Sequence, residues 1–340
     1  MIRTVCGPID KKELGFTLPH EHILIDMCCC VDEMPYPEFH GKITPSNRYL
    51  MVSDPYYILE NAAYTDTDVA ARELSLYQSF GGCSIVDVTP DDIGRDVRAL
   101  QALSRKTGVQ IVVGCGHYTD VSLSPQVKAM SVDELTAEIL RDLTVGVQGT
   151  DIKAGVIGEI GTSAEITAAE HRCVQAAMRA SRETGAAVHV HTSLWEENGK
   201  TVLEIAKKEG ADLGRVCIDH IDVDLREDYC RTLLEQGAWI EFDNCGKEFF
   251  MPPRDCGKIR GKFAYDMERA VMIQRLFAQG YGERILMTND ICLKTMLAEY
   301  GGNGFMHVAR TMVPMLRYVG MTEEQIHRLT VTNPANFLDF

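Results

Sequence analysis

One arrangement recurs along this chain and leaves few folds open to it. A short run of aliphatic and β-branched residues is followed, again and again, by a longer stretch with apolar residues at helical spacing. The short runs fall at 16–22, 84–89, 109–114, 154–161, 186–192, 215–221, 238–243 and 284–290. Their short apolar content, rich in Val and Ile in most of the runs after the first, predicts buried strands. The stretches between them predict helices at 66–80, 94–107, 131–145, 164–184, 200–209, 226–236 and 265–279, with closing helices at 304–319 and 322–329. Gly81-Gly82 stops the first helix and a cap-like Ser131-Val-Asp-Glu134 opens the third. Eight strands alternating with helices predict an α/β fold of the (β/α)8, or TIM-barrel, type. A doubly wound open sheet is the competing architecture. It wants a glycine-rich phosphate turn after an early strand. The nearest fragment, Gly114-Cys-Gly116, runs into His117 and Tyr118, which do not suit a phosphate cradle.

A barrel takes about 250 residues, and up to about 400 with insertions, so 340 residues are expected to form one domain over 1–340. Residues 28–64, with Pro35, Pro37, Pro45 and Pro55, read as an insertion lying over the mouth of strand 1.

The chemistry-bearing residues sit at one end of the strands. His20 and His22 end strand 1, and in an extended strand residues two apart share a face. Glu159 lies near the end of strand 4, His191 ends strand 5, His220 ends strand 6 and Asp290 ends strand 8. In a barrel, strand carboxyl ends converge on one mouth. Four imidazoles and two carboxylates suit Zn, Mn, Fe or Co. Six ligands exceed one tetrahedral zinc but suffice for two divalent ions sharing a carboxylate and a hydroxide.

These landmarks, Leu18-Pro-His-Glu-His22, Val188-His-Val-His-Thr192, Cys217-Ile-Asp-His-Ile-Asp222 and Thr288-Asn-Asp290, resemble the phosphotriesterase family of the amidohydrolase superfamily. The resemblance runs from Gly15 to the closing Asn333-Pro334. It implies that His20, His22 and Asp290 hold the more buried metal, and His191 and His220 the more exposed one. Many relatives bridge the metals with a carboxylated lysine on strand 4. Here strand 4 ends without one, Lys153 precedes it, and Glu159 takes the bridging place, as in the phosphotriesterase-related and phosphotriesterase homology branch. The implied reaction is hydrolysis of a carboxylic ester or lactone by metal-activated hydroxide, with organophosphate or phosphonate esters as side substrates. Asp290 would carry the proton and Tyr118 would touch the substrate carbonyl. Hydrolysis of N-acyl amides is the second expectation, and a non-catalytic metal-binding barrel a third.

Other polar residues have bland readings. His189 shares a face with His191 but lies one layer deeper in the barrel. Glu21 points to the opposite face from its two neighbours and is structural. His40, His171 and His327 fall on loops or helices and are solvated; His307 opens the helix after strand 8, and lining the pocket is the lesser of its readings. Lys247, Arg254, Lys258, Arg260, Lys262 and Arg269 crowd the segment after strand 7. They form either a solvated loop or an anion site, in which Arg254, Lys258 and Arg269 would bind a carboxylate or phosphate of the substrate.

The formal net charge of -15 argues against nucleic acid and anionic membranes as partners. No apolar run approaches the roughly 20 residues of a membrane span, and residues 1–7 are too short and polar for a signal peptide. Twelve cysteines with no C-x-x-C spacing read as reduced thiols of a cytoplasmic protein. Cys28, Cys29 and Cys30 read as loop packing, with a thiolate metal cluster as the alternative. The expected partner is a small, anionic ester or lactone, and a homodimer or homotetramer is expected.

Overall fold

The computed structural model describes residues 1–251 and 261–340. Eight strands, β1 (Thr17–Glu21), β2 (Ser84–Asp87), β3 (Gln110–Cys115), β4 (Val156–Gly161), β5 (Val188–His191), β6 (Val216–Ile218), β7 (Trp239–Phe242) and β8 (Ile285–Met287), lie side by side in chain order. Every neighbouring pair is parallel. The two ends of this order are brought together by Glu21. Its carboxylate accepts hydrogen bonds from the Asn289 backbone N–H at 2.9 Å and the Ile291 backbone N–H at 2.8 Å. The sheet thus curls to near closure as a TIM barrel, and Glu21 has the structural place expected of it.

Helices α1 (Thr67–Ser79), α2 (Val97–Thr107), α3 (Val132–Thr144), α4 (Ala168–Thr184), α5 (Asn198–Glu209), α6 (Glu227–Glu235) and α7 (Asp266–Ala278) follow β1 to β7 in turn. Their starts are sequence-encoded. Asp66 caps α1, and Ser131 with Glu134 forms a reciprocal capping box on α3. Beyond β8 the expected helix is broken up: Val308–Met312 is wound as a π-helix and leads into α8 (Val313–Tyr318).

The strands stop earlier than periodicity suggests. β6 ends two residues before His220 and β8 three before Asp290 because both residues turn the chain through positive φ, 61° and 47°, which no ladder accommodates. The ladder also slips at two places. Leu18 pairs with Ile85 and Glu21 with Asp87, and Ile157 pairs with Val188 while Ile160 pairs with Val190. Residues three apart therefore share a face, and each slip takes up the additional residue. His20 lies inside the first slip and Glu159 inside the second.

The barrel interior is layered. At the amino-terminal end Val86, Val112, Val156, Trp239 and Leu286 form an apolar floor, closed from below by Ile2, Leu14, Phe337 and Leu338. Ile2 belongs to a short hairpin, Ile2–Thr4 with Gly7–Ile9, that the alternation pattern does not announce. Above the floor lies a fully buried polar layer of His20, His189, Asp219 and Glu241, with His189 one layer below the mouth as expected. The insertion after β1 is fastened at its base by a two-residue antiparallel ladder, Ile25–Asp26 with Ala63–Tyr64.

Candidate metal centre

At the mouth the six predicted ligands meet. The rings of His20 and His220 have centroids 5.4 Å apart. Glu159 is central. Its Oε1 lies 2.9 Å from His191 Nδ1, 3.0 Å from His220 Nε2 and 3.6 Å from His20 Nε2, while its Oε2 lies 3.6 Å from His22 Nε2. Asp290 Oδ1 is 3.2 Å from His22 Nε2 and 3.8 Å from His20 Nε2. The donor atoms fall into overlapping groups, His20–His22–Glu159, His20–His220–Asp290 and Glu159–His191–His220, each within 4.8 Å. Lys153 is exposed, so no lysine enters from the start of β4.

The imidazoles are aimed from behind. His20 Nδ1 is 3.1 Å from Glu241 Oε2, His22 Nδ1 is 2.9 Å from Thr89 Oγ1, and His220 Nδ1 is 3.0 Å from Asp243 Oδ1. Engaging the far nitrogen fixes ring orientation and turns the other nitrogen toward the centre. His20 Nε2 is indeed buried without a hydrogen-bond partner among the described residues. The electrostatics agree. Burial alone would lower the His20 imidazole, but the carboxylates of Glu159, Asp219 and Glu241 hold it well above its ordinary value. Burial would raise Glu159, yet His20, His191 and His220 hold it well below the carboxylate range. His191 goes the other way, lowered by burial and by neighbouring His220. A buried nest of carboxylates and imidazoles calls for positive charge, and divalent cations fit this donor set.

The centre opens into a cavity of about 760 Å³ whose lining includes His22, Tyr118, Glu159, His191, His220, Lys247 and Asp290. Tyr118 stands over the centre, its hydroxyl 3.3 Å from His191 Nδ1. Burial, and then the charge of Glu159, push its phenol well above the ordinary value, so it remains a donor. Its neighbour His117 is turned away, 3.0 Å from Asp92 Oδ2. His307 is not in this lining. It sits on Asp266 at 2.6 Å and faces a separate cavity of about 190 Å³. His40, His171 and His327 are exposed, as expected.

The basic segment divides. Arg254 and Lys258 lie outside the described residues. Arg269 does not face the cavity and corrects the expectation that it binds substrate. It is wholly buried, with Nε donating to Asp222 Oδ2 at 2.8 Å, Nη1 to Asp266 Oδ1 at 3.0 Å and Nη2 to the Lys247 carbonyl at 3.3 Å. As a residue of the first turn of α7, it clamps the loops beyond β6 and β7. Lys247 is the surprise. Instead of joining a solvated loop it is buried, and its ammonium is ion-paired with Asp290. Sequence reasoning also missed Asp219, Glu241 and Asp243. Their signal was present: acids at alternate positions in β7 and just beyond β6 and β7, in phase with inward-facing Cys217 and Trp239.

Comparison with known proteins fits this geometry. A sequence model of the phosphotriesterase family matches residues 1–338. The N-acetyltaurine hydrolase of Danio rerio is 32% identical over 347 residues, covering 100% of this chain and 98% of that protein. Among solved structures, a resiniferatoxin-binding protein from Rhodobacter sphaeroides superposes with a TM-score of 0.95 at 36% identity, covering 99% of this chain and 94% of that one. The lactonase Lmo2620 from Listeria monocytogenes gives 0.79 at 26% identity, covering 100% and 99%.

Proposed function

The chain belongs to the phosphotriesterase family and is a metal-dependent hydrolase of small molecules; from that premise we propose that it cleaves carboxylic esters or lactones with two divalent ions, which His20, His22, His191, His220, Asp290 and the central carboxylate of Glu159 would hold. The carrying observation is that the one Glu159 carboxylate faces all four imidazoles, Oε1 toward His20, His191 and His220 and Oε2 toward His22. Zn or Mn is the first choice, with Fe or Co as alternatives. Bound there, such ions supply Lewis-acid activation of water and of the scissile carbonyl.

The remaining work falls to the chain's own groups. Asp290 receives the proton of the attacking water and passes it to the leaving group. Burial would raise its carboxyl, but Lys247 and His22 hold it well below the usual range, so it is ionised. Tyr118 donates a hydrogen bond from its phenolic O–H to the carbonyl oxygen as negative charge develops there, and keeps its proton. Arg254 and Lys258, in the basic stretch after β7, hold a carboxylate or phosphate remote from the scissile bond. Organophosphate esters are side substrates. The eleven described cysteines form no disulfide, which supports a cytoplasmic setting. Light scattering is expected to return a dimer or tetramer.

A second reading has its own support. The likeness to N-acetyltaurine hydrolases extends over the whole chain, which favours N-acyl amides. Metal analysis of the purified protein, with a panel of esters, lactones and N-acyl amino acids including N-acetyltaurine, separates the readings. Two metals per chain with ester or lactone turnover supports the first. Turnover of amides alone moves the assignment to the second. Metal without any turnover leaves a binding barrel.

A further inference from the structure

One wall of the cavity is not explained by hydrolytic chemistry. Phe263 and Val223 seed a small apolar cluster, separate from the main core, that gathers Tyr56, Leu194, Trp195 and Phe249. These residues come from four different segments: the insertion after β1 and the loops beyond β5, β6 and β7. The rings meet edge to face. Trp195 and Phe263 have centroids 5.8 Å apart at 88°, and Phe249 and Phe263 5.5 Å apart at 74°. Tyr56, Leu194, Trp195, Phe249 and Phe263 all line the same cavity as Glu159, His191 and Asp290. All but Phe263 are only half-buried.

Loop packing alone would bury these faces against one another. Here they are turned toward a space that also holds the charged centre. Apolar area left facing water is unfavourable until something covers it, and edge-to-face pairs leave ring faces free for a further ring. The space is large enough: about 760 Å³ amounts to roughly 25 water volumes of about 30 Å³ each, far more than an acetyl ester fills.

We propose that this wall is an aryl-binding subsite, and that the preferred esters carry an aromatic ring on one side of the scissile bond. The proposal rests on the ester-hydrolase reading above, and its test separates the two. Benzyl acetate carries the ring on the alcohol side and methyl phenylacetate on the acyl side; ethyl acetate carries none. Burying a ring of this size raises kcat/KM about tenfold to a hundredfold, so one of the aryl esters should exceed ethyl acetate by that ratio. Trp195→Leu should cut the ratio about tenfold, whereas Trp195→Phe, which keeps a ring, should retain most of it. Circular dichroism melts guard against misfolding.

A second readout needs no turnover. The chain has two tryptophans, and Trp239 lies in the floor, donating from its indole N–H to the Gly214 carbonyl at 2.8 Å. In a Trp239→Phe background, benzyl alcohol should change Trp195 emission saturably, and Phe263→Leu should weaken that binding several-fold. Ester turnover with a ratio near one and no emission change overturns the subsite while leaving the hydrolase reading intact. Saturable emission change with no ester hydrolysed supports the subsite and defeats the ester reading.

Discussion

Replacing Arg269 by Ala is the sharpest single test of how the mouth of the barrel is held together. The side chain is wholly buried and satisfies Asp222 and Asp266 at 2.8 and 3.0 Å. Removing one member of such a group leaves uncompensated buried charge, which costs about 3–5 kcal/mol. Asp266 retains His307 at 2.6 Å and Asp222 retains the Asn244 side-chain amide at 2.7 Å, so the lower half of that range is expected. Unfolding entropy near 60 °C is about 2.1 cal/mol/K per residue, hence about 0.7 kcal/mol/K for a chain of 340 residues. Tm should therefore fall by about 4–6 °C in a calorimetric scan. Because Arg269 also holds the Lys247 carbonyl, kcat should drop as well, equally for neutral and anionic substrates. An Arg269→Ala protein with unchanged Tm and a selective loss on anionic substrates would refute the reasoning and return Arg269 to substrate binding.

Other expectations are shorter. Glu159→Gln should lose metal, read by elemental analysis of dialysed protein, and reconstitution of the parent should not require bicarbonate; a bicarbonate requirement would expose a carbamate elsewhere. Asp290→Asn keeps an oxygen donor but cannot take a proton, so kcat should fall about 10²–10⁴-fold with metal retained, and a near-normal rate would remove it from proton transfer. His117 tests a pH effect. Burial would lower its imidazole, but Asp92 and Glu138 raise it to about 9. A raised folded value gives stability that is complete below the unfolded value of about 6.5 and is lost as pH rises through 9. The Tm gap between the parent and His117→Gln should accordingly be wide at pH 6 and closed near pH 10, and a gap independent of pH would show that His117 acts by packing alone.

Much of this was legible in the sequence, for identifiable reasons. Strand–helix alternation depends on composition and period, and both survive in the folded chain. The cluster of candidate ligands was visible because a barrel puts strand ends together, so position along the strand stands in for position in space. What escaped were departures from period two. A strictly alternating β1 puts Leu18 on the same side as His20, yet the slip places Leu18 with Glu21 on the other side. Lys247 and Arg269 were read by charge, and charge says nothing about burial: both found carboxylates inside the protein, one at the centre and one behind it. The amino-terminal hairpin is too short to carry a periodic signal.

Glu21 gives the site a dependence on the order in which the chain is made. Its carboxylate joins residues 270 positions apart, and Asp290 lies between the two backbone donors it grips. His20 and His22 leave the ribosome well before Asp290. A nascent chain therefore carries the first two donors, and later three more, before Asp290 can complete the site. Only when the far edge of the sheet arrives and this carboxylate takes it up are the donors complete. Contacts so distant in sequence form slowly, so completion of the donor set waits on closure of this seam.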